Sequence, residues 1–278
     1  MTEFQGRERR ILVVEDDATN RSVLARQLAM VGVEAEMAGN GEEGLGRWRG
    51  GAFALVLTDL HMPLMDGFGL VRAIRLEEAP GSRTPVLAFS ADVRIGQAEK
   101  ARDAGFDAFL AKPMQLDGLR AVLARWLDIG AANAARRLAA QSPAAPGAVG
   151  PRVADSEFDA GALRELVGDE PAVVLEILAY FDEVAGGIRA ELLQAARAGD
   201  AAGAGMLAHR LKSSARSVGA VRLGHVCGRL EEDVEAGRGD LVATRVVDVV
   251  DALDAALAAM RRWCAARAEE QVMERYAL

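Results

Sequence analysis

A chain of 278 residues is long enough for two domains of ordinary size, and its 51% apolar content supplies packed cores and argues against wholesale disorder. A formal net charge of −8 sets the chain against nucleic acid as a partner, because phosphate backbones recruit basic faces. Such a surface suits protein partners.

From residue 11 the sequence alternates short β-branched apolar runs with helical patterns. The run ILVV (11–14) precedes a periodic stretch from Thr19 to Val31 that stops at Gly32. A short strand near 33–38, a helix near 41–49 and the strand ALVLT (54–58) follow. After Gly67 come a helix, the strand PVLAFS (85–90), a helix near 95–104, the strand DAFLA (107–111) and a helix from Gln115 to about Leu127. Five strands alternating with five helices predict an α/β doubly wound parallel sheet, which gathers reactive groups at the carboxyl ends of its strands. Between about 129 and 157 the composition shifts: SPAAPGAVGPRVADS reads as a Pro/Gly/Ala-rich linker. Beyond it strand signals vanish. Residues 158–265 are Ala- and Leu-rich, with helical periodicity broken at Gly168-Asp169, Gly199-Asp200, Gly219 and Gly237–Gly239, which predicts a bundle of four or five helices. The expected division is 8–129, a linker over 130–155, the helical domain over 156–265 and a tail over 266–278.

Four kinds of group fall at predicted strand ends: the acids Glu15, Asp16 and Asp17; Asp59; Ser90; and Lys112, next to Pro113. Singly, each has a bland reading as a helix cap, turn residue or surface charge. Their convergence on one sheet edge weakens that reading. Clustered acids repel unless a hard cation joins them, and Mg²⁺ favours a few carboxylates with waters and a phosphate oxygen. The cluster therefore suits phosphoryl transfer to a carboxylate, with Lys112 balancing charge and the Ser90 hydroxyl bonding a phosphoryl oxygen. Asp17 is read as a solvated third acid.

The segments VVEDDATNR (13–21), LTDLHMPLMDG (57–67), LAFSAD (87–92) and AGFDAFLAKP (104–113) resemble, in order and spacing, the response-regulator receiver family over residues 10–128. The resemblance implies a flavodoxin-like fold, Asp59 as phosphoacceptor, and Mg²⁺ held by Glu15, Asp16 and Asp59 with a main-chain carbonyl at His61. It also implies a switch pair, Ser90 and Phe109, and a cis junction at Lys112–Pro113. Glu15 stands where aspartate is commoner. Ala91 matches the family's open access to the aspartate, and the His61 side chain is read as a surface group tuning dephosphorylation.

In the helical half, a wheel at about 100° per residue puts Leu207, Leu211, Ser214 and Val218 on one stripe. It puts His209 on the opposite, outward face with Lys212, Arg216 and Gly205. A neutral imidazole is available near neutral pH to attack a phosphoryl group. AHRLKSSARSVGA (208–220), LGHVCGRLE (223–231) and FDAGALRELVGDEP (158–171) resemble the histidine-containing phosphotransfer family over 156–262. That resemblance makes His209 the phosphorylated histidine and Lys212 the motif lysine, with Ser213 where glycine is usual. His225 is read as a packing residue beside Cys227.

Cys227 and Cys264 form no CxxC pair and read as helix-core residues of a reducing compartment. The N-terminus has no apolar run suited to a signal peptide, and Asp248, Asp251 and Asp254 break the apolar 246–260 stretch. The expected location is cytoplasmic, either free or as the cytoplasmic part of a membrane-bound sensor. The leading reading is a two-component phosphorelay intermediary that accepts phosphate from a histidine kinase on Asp59 and exchanges it with His209 for a downstream response regulator. Self-catalysed phosphotransfer and dephosphorylation are expected of the receiver. A complete sensor kinase is disfavoured because this chain shows neither a second histidine box nor Asn- and Gly-rich ATP-binding motifs; the C-terminal piece of a hybrid kinase and a phosphate sink stay open. An aspartate-nucleophile phosphatase of the haloacid-dehalogenase type wants DxD after the first strand, where Glu15-Asp16-Asp17 stands.

Overall fold

Strands form on the ILVV, LVLT and VLAFS runs, which carry β-branched residues, and also on AEMA and AFLA, which carry none. The computed structural model describes residues 10–91, 97–127 and 157–276, without the side chains of 97, 98 and 269–276. The described residues fall into two compact units, one ending at Leu127 and one beginning at Glu157. The expected linker, and Asp92 of the LAFSAD run, lie outside the described residues.

In the first unit, β1 (Ile11–Val14), β2 (Ala35–Ala38), β3 (Leu55–Thr58), β4 (Val86–Ser90) and β5 (Ala108–Ala111) form one parallel sheet in the order β2-β1-β3-β4-β5. Strands β1 and β3 are buried along their whole length, as expected of central strands covered on both faces. One face packs Leu24 and Leu28 of α1 (Ala18–Met30) with Leu119, Leu123 and Leu127 of α5 (Leu116–Leu127) against Ile11, Val13 and Leu57. The other face packs Leu45 of α2 (Gly41–Gly50), Leu70 and Ile74 of α3 (Gly67–Glu77) and Ala101 of α4 (Gln97–Ala104) against Leu12, Val14 and Val56. Strand order reverses between β1 and β3, and the crevice beyond their carboxyl ends is the usual site of chemistry in such sheets.

The second unit is helical: α6 (Ala160–Val167), α7 (Pro171–Ala198), α8 (Ala201–Val218), α9 (Val221–Glu235) and α10 (Gly239–Tyr276). Helices α7 to α10 pack in a ring of neighbours, α7 on α8, α8 on α9, α9 on α10 and α10 on α7, while short α6 lies on α8 and α7. Helix α7 buries Val174, Ile177, Leu178, Phe181, Ala185, Ile188 and Leu192, a stripe of three- and four-residue steps. The breaks are those that glycine imposes: Gly199 and Gly219 close α7 and α8 in the left-handed conformation, at φ 67° and 87°. Asp159 and Asp200 cap the starts of α6 and α8 by accepting from the backbone N–H of Gly161 and Gly203. Helix α10 continues past residue 265 to Tyr276, so the segment expected as a tail is helical through that point. No described helix is long and apolar enough to cross a membrane.

Candidate functional site

At the carboxyl edge of the sheet the chain brings together most of the groups expected there. Glu15 follows β1 with its N–H donating to the Ala38 carbonyl, and Asp59 follows β3 with its N–H donating to the Val14 carbonyl. One carboxylate oxygen from each of Glu15, Asp16 and Asp59 lies within 4.8 Å of the others. Lys112, at the end of β5, reaches Asp59 Oδ2 at 2.5 Å and also pairs with Glu15 Oε2; its side chain is 3% exposed. The Lys112–Pro113 bond is cis, as the resemblance implied.

Two devices orient Asp59. The Leu60 and His61 backbone N–H groups donate to its Oδ1, at 2.5 and 3.3 Å. The loop that follows folds back on the strand end, where the Gly67 N–H donates to the Leu60 carbonyl; a side chain at Gly67 would run into the Asp59 carbonyl, so the Asp66-Gly67 pair serves close approach. Leu64, in that same loop, holds φ 67° and is 78% exposed. Ser90 ends β4 fully buried, and its carbonyl accepts from the Lys112 N–H. Phe109 pairs with Ala88 across β4 and β5 and so shares the sheet face of Ser90, packed against the α2–α4 core. Ala91 is buried, and the His61 side chain is exposed.

The electrostatics are those of acids taken out of water. Burial pushes the Glu15 carboxyl up to about 8; the Lys112 charge opposes the rise, and Asp59 and Asp17 add to it. Burial disfavours the Lys112 ammonium, yet Asp59 and Glu15 hold it above the ordinary lysine range. The expectation that Asp17 is a solvated third acid is overturned: it is 1% exposed and caps α1 by accepting from the Asn20 N–H at 2.9 Å. Asn20 Nδ2 donates in turn to Glu15 Oε1 at 3.3 Å, and Arg21 Nη1 donates to the Glu15 and Asp16 carbonyls at 2.6 and 2.8 Å. Sequence reasoning quoted both residues in VVEDDATNR without giving them a role; their signal is a position one turn into the helix that follows the acids.

The second candidate site departs further from the helical-wheel reading. The buried stripe of α8 runs Ala204, Ala208, Leu211, Ala215 and Val218, with Leu207 only half-buried. The face carrying His209, Lys212 and Gly205 is not turned to solvent but toward α9. A Cβ on Gly205 would stand 3.1 Å from Val234 Cγ1, Lys212 is 5% exposed, and the His209 side chain is 18% exposed. The reason is that α8 has neighbours on several sides, so one solvent stripe cannot be read from its own sequence. Arg216 runs across Gly224 of α9, where a Cβ would meet its Cγ at 2.9 Å.

What α9 presents to this face is Glu231. Its Oε2 pairs with the Lys212 ammonium, and its Oε1 stands 3.5 Å from His209 Nδ1. Sequence reasoning missed it, although Gly224, Gly228 and Glu231 fall at i, i+4 and i+7 on one face of α9 and mark a close, polar approach. Ser213 is buried on α8, and its carbonyl accepts from the Ser217 hydroxyl at 3.2 Å. His225 is exposed, which overturns its reading as a packing residue; Cys227 is buried, and burial raises its thiol pKa.

Two family models match this chain: the response regulator receiver domain over residues 11–124 and the Hpt domain over 176–263. The virulence sensor protein BvgS of Bordetella parapertussis is 32% identical over 240 residues, covering 83% of this chain and 18% of that protein. Hybrid signal transduction histidine kinase G of Dictyostelium discoideum is 37% identical over 121 residues, 43% of this chain and 4% of that protein. Among solved structures, the receiver domain of a Pseudomonas aeruginosa sensor histidine kinase is 29% identical, covering 43% of this chain and 98% of that one at a TM-score of 0.41. This chain thus spans only a small part of the curated relatives it matches, 18% in the first case. Over residues 11–124 the chain belongs to the response regulator receiver domain family, and over residues 176–263 to the Hpt domain family.

Proposed function

We propose that this chain is a phosphorelay intermediary in two-component signalling: Asp59 accepts a phosphoryl group from a histidine kinase and exchanges it with His209, which delivers it to the receiver of a downstream response regulator. The observation that carries the reading is the cluster of three carboxylates and one ammonium at the sheet edge, with Glu15, Asp59 and Lys112 buried and Asp16 half-buried, in a chain that also carries an Hpt domain. The relatives named as sensor and hybrid kinases support a phosphorelay setting of that kind. The working limits are 8–129 for the receiver and 156–265 for the phosphotransfer domain, and the proposed location is the cytoplasm.

The donor set fits Mg²⁺: all three groups are hard carboxylate oxygens within reach of one small cation. Glu15, Asp16 and Asp59 would hold it, with the His61 carbonyl as a further ligand. When bound, it supplies a divalent charge that offsets the carboxylates and the phosphoryl oxygens. The remaining work falls to the chain. The Leu60 and His61 amides fix the Asp59 carboxylate through Oδ1, and Lys112 steadies Oδ2. Ser90 offers its hydroxyl to a phosphoryl oxygen, and Phe109, on the same sheet face, follows that movement inward. At the second site Glu231, beside Nδ1 of His209, favours the tautomer with its proton there, which leaves Nε2 as the nucleophile. Lys212 is held by Glu231 near the same ring and offsets charge on the phosphorylated product.

Phosphate mapping with a small acyl-phosphate donor tests the reading. Wild type should label on Asp59 only with Mg²⁺ present and then on His209. His209→Gln should keep the aspartyl label, and Asp59→Asn should lose both. Strong labelling of His209 by the small donor in Asp59→Asn protein would sink the proposed route.

A further inference from the structure

The β1–α1 connection carries two of the proposed cation ligands, yet past Glu15 it has left the sheet ladder. The Glu15 N–H is held by the Ala38 carbonyl, the last bond of that edge to β2. The carbonyls of Glu15 and Asp16 are both taken by one nitrogen of Arg21, at 2.6 and 2.8 Å. Arg21 is itself fixed: it lies in the first turn of α1, where its N–H donates to the Asp17 carbonyl at 2.9 Å. Its guanidinium also faces the β2–α2 connection, 3.8 Å from where a Cβ on Gly39 would stand, and Glu43 in the first turn of α2 feels its charge. Glu43 is tied to the Gly39 N–H at 2.7 Å and to Arg47.

We propose that Arg21 is a positioning residue for the Mg²⁺ site: by holding the Glu15 and Asp16 carbonyls it sets the two peptide planes, and so the directions in which both acidic side chains leave the backbone. The inference rests on the reading of Glu15, Asp16 and Asp59 as that site. It has a sign that charge alone does not share. A cation beside an acid cluster weakens Mg²⁺ binding by repulsion, so its removal should strengthen binding. A group that orients ligands strengthens binding, so its removal should weaken it. Lysine keeps the charge but replaces the planar, preorganised donor with a compact ammonium on a flexible stem.

The test is calorimetric titration of Mg²⁺ into the full chain, freed of metal, as wild type, Arg21→Lys and Arg21→Met. The expected result is that both substitutions weaken Mg²⁺ binding by about tenfold, the usual scale for losing a ligand-orienting partner. Asp59 labelling should then saturate at correspondingly higher Mg²⁺. Wild-type affinity in Arg21→Lys, or tighter binding in Arg21→Met, overturns the proposal. A drop in metal-free melting temperature with unchanged affinity also overturns it, since that is the mark of a purely structural arginine. Should Arg21→Met fail to fold, Arg21→Lys decides alone. Wild type that binds no Mg²⁺ overturns the site reading itself, and this inference with it.

Discussion

Glu231 and Lys212 show how much one side chain can depend on another. Both are 7% exposed at the side chain and each is the other's counter-charge, so removing one strands a buried ion. Lys212→Met is expected to destabilise the helical unit by about 3 kcal/mol in urea unfolding, the scale for breaking a buried pair. Adding Glu231→Leu should recover most of that loss, because the uncompensated carboxylate goes with it. A double variant no more stable than the single one would show that packing, not charge, sets the cost. Glu15 makes the corresponding case in the receiver. Its carboxyl is raised from 4.5 to about 8, so the folded state binds its proton more tightly than the unfolded chain does. The associated stability is present below 4.5 and lost as pH rises through about 8. Metal-free protein should therefore lose receiver stability across that window, and Glu15→Gln should flatten the profile; an unchanged slope in the variant would assign the effect elsewhere.

At the scale of elements, helix ends set where the bundle turns, and two of its glycines allow a comparison. Gly199 and Gly219 both hold positive φ, but a Cβ on Gly199 would meet nothing within 4 Å, while one on Gly219 would collide with the Asp159 carbonyl and crowd Ala162. Gly199→Ala is expected to cost about 1 kcal/mol, the ordinary penalty for alanine in the left-handed region. Gly219→Ala should cost more, because the start of α6 must also move. Equal melting temperatures for the two variants would remove the steric part of the argument. The long helices α7 and α10 run antiparallel, held in register by two exposed bidentate pairs, Arg189–Asp254 and Asp182–Arg261. Exposed pairs are worth little in stability, so their contribution is alignment.

For the whole molecule, two compact units with separate cores imply two unfolding events. Mg²⁺ binds only folded receiver in this reading, so it should raise one calorimetric transition by mass action and leave the helical transition in place. A shift of both would show that the units unfold together. How far the sequence alone reached differs between the units. In the receiver, alternating runs determined the strand sequence, and a doubly wound sheet necessarily collects the ends of β1, β3, β4 and β5 on one edge; Glu15, Asp16, Asp59, Ser90 and Lys112 were legible for that reason. Asp17 was not, because capping a helix and facing solvent look alike in an acid after a strand. In the bundle, glycine and aspartate marked the helix ends, and the residue pattern marked His209. The partners of that histidine lay beyond reach, since a helical wheel describes one helix, and which helix covers which face is decided by packing. The burial of Lys212, the exposure of His225 and the arrival of Glu231 beside His209 from the next helix are therefore properties of the tertiary structure.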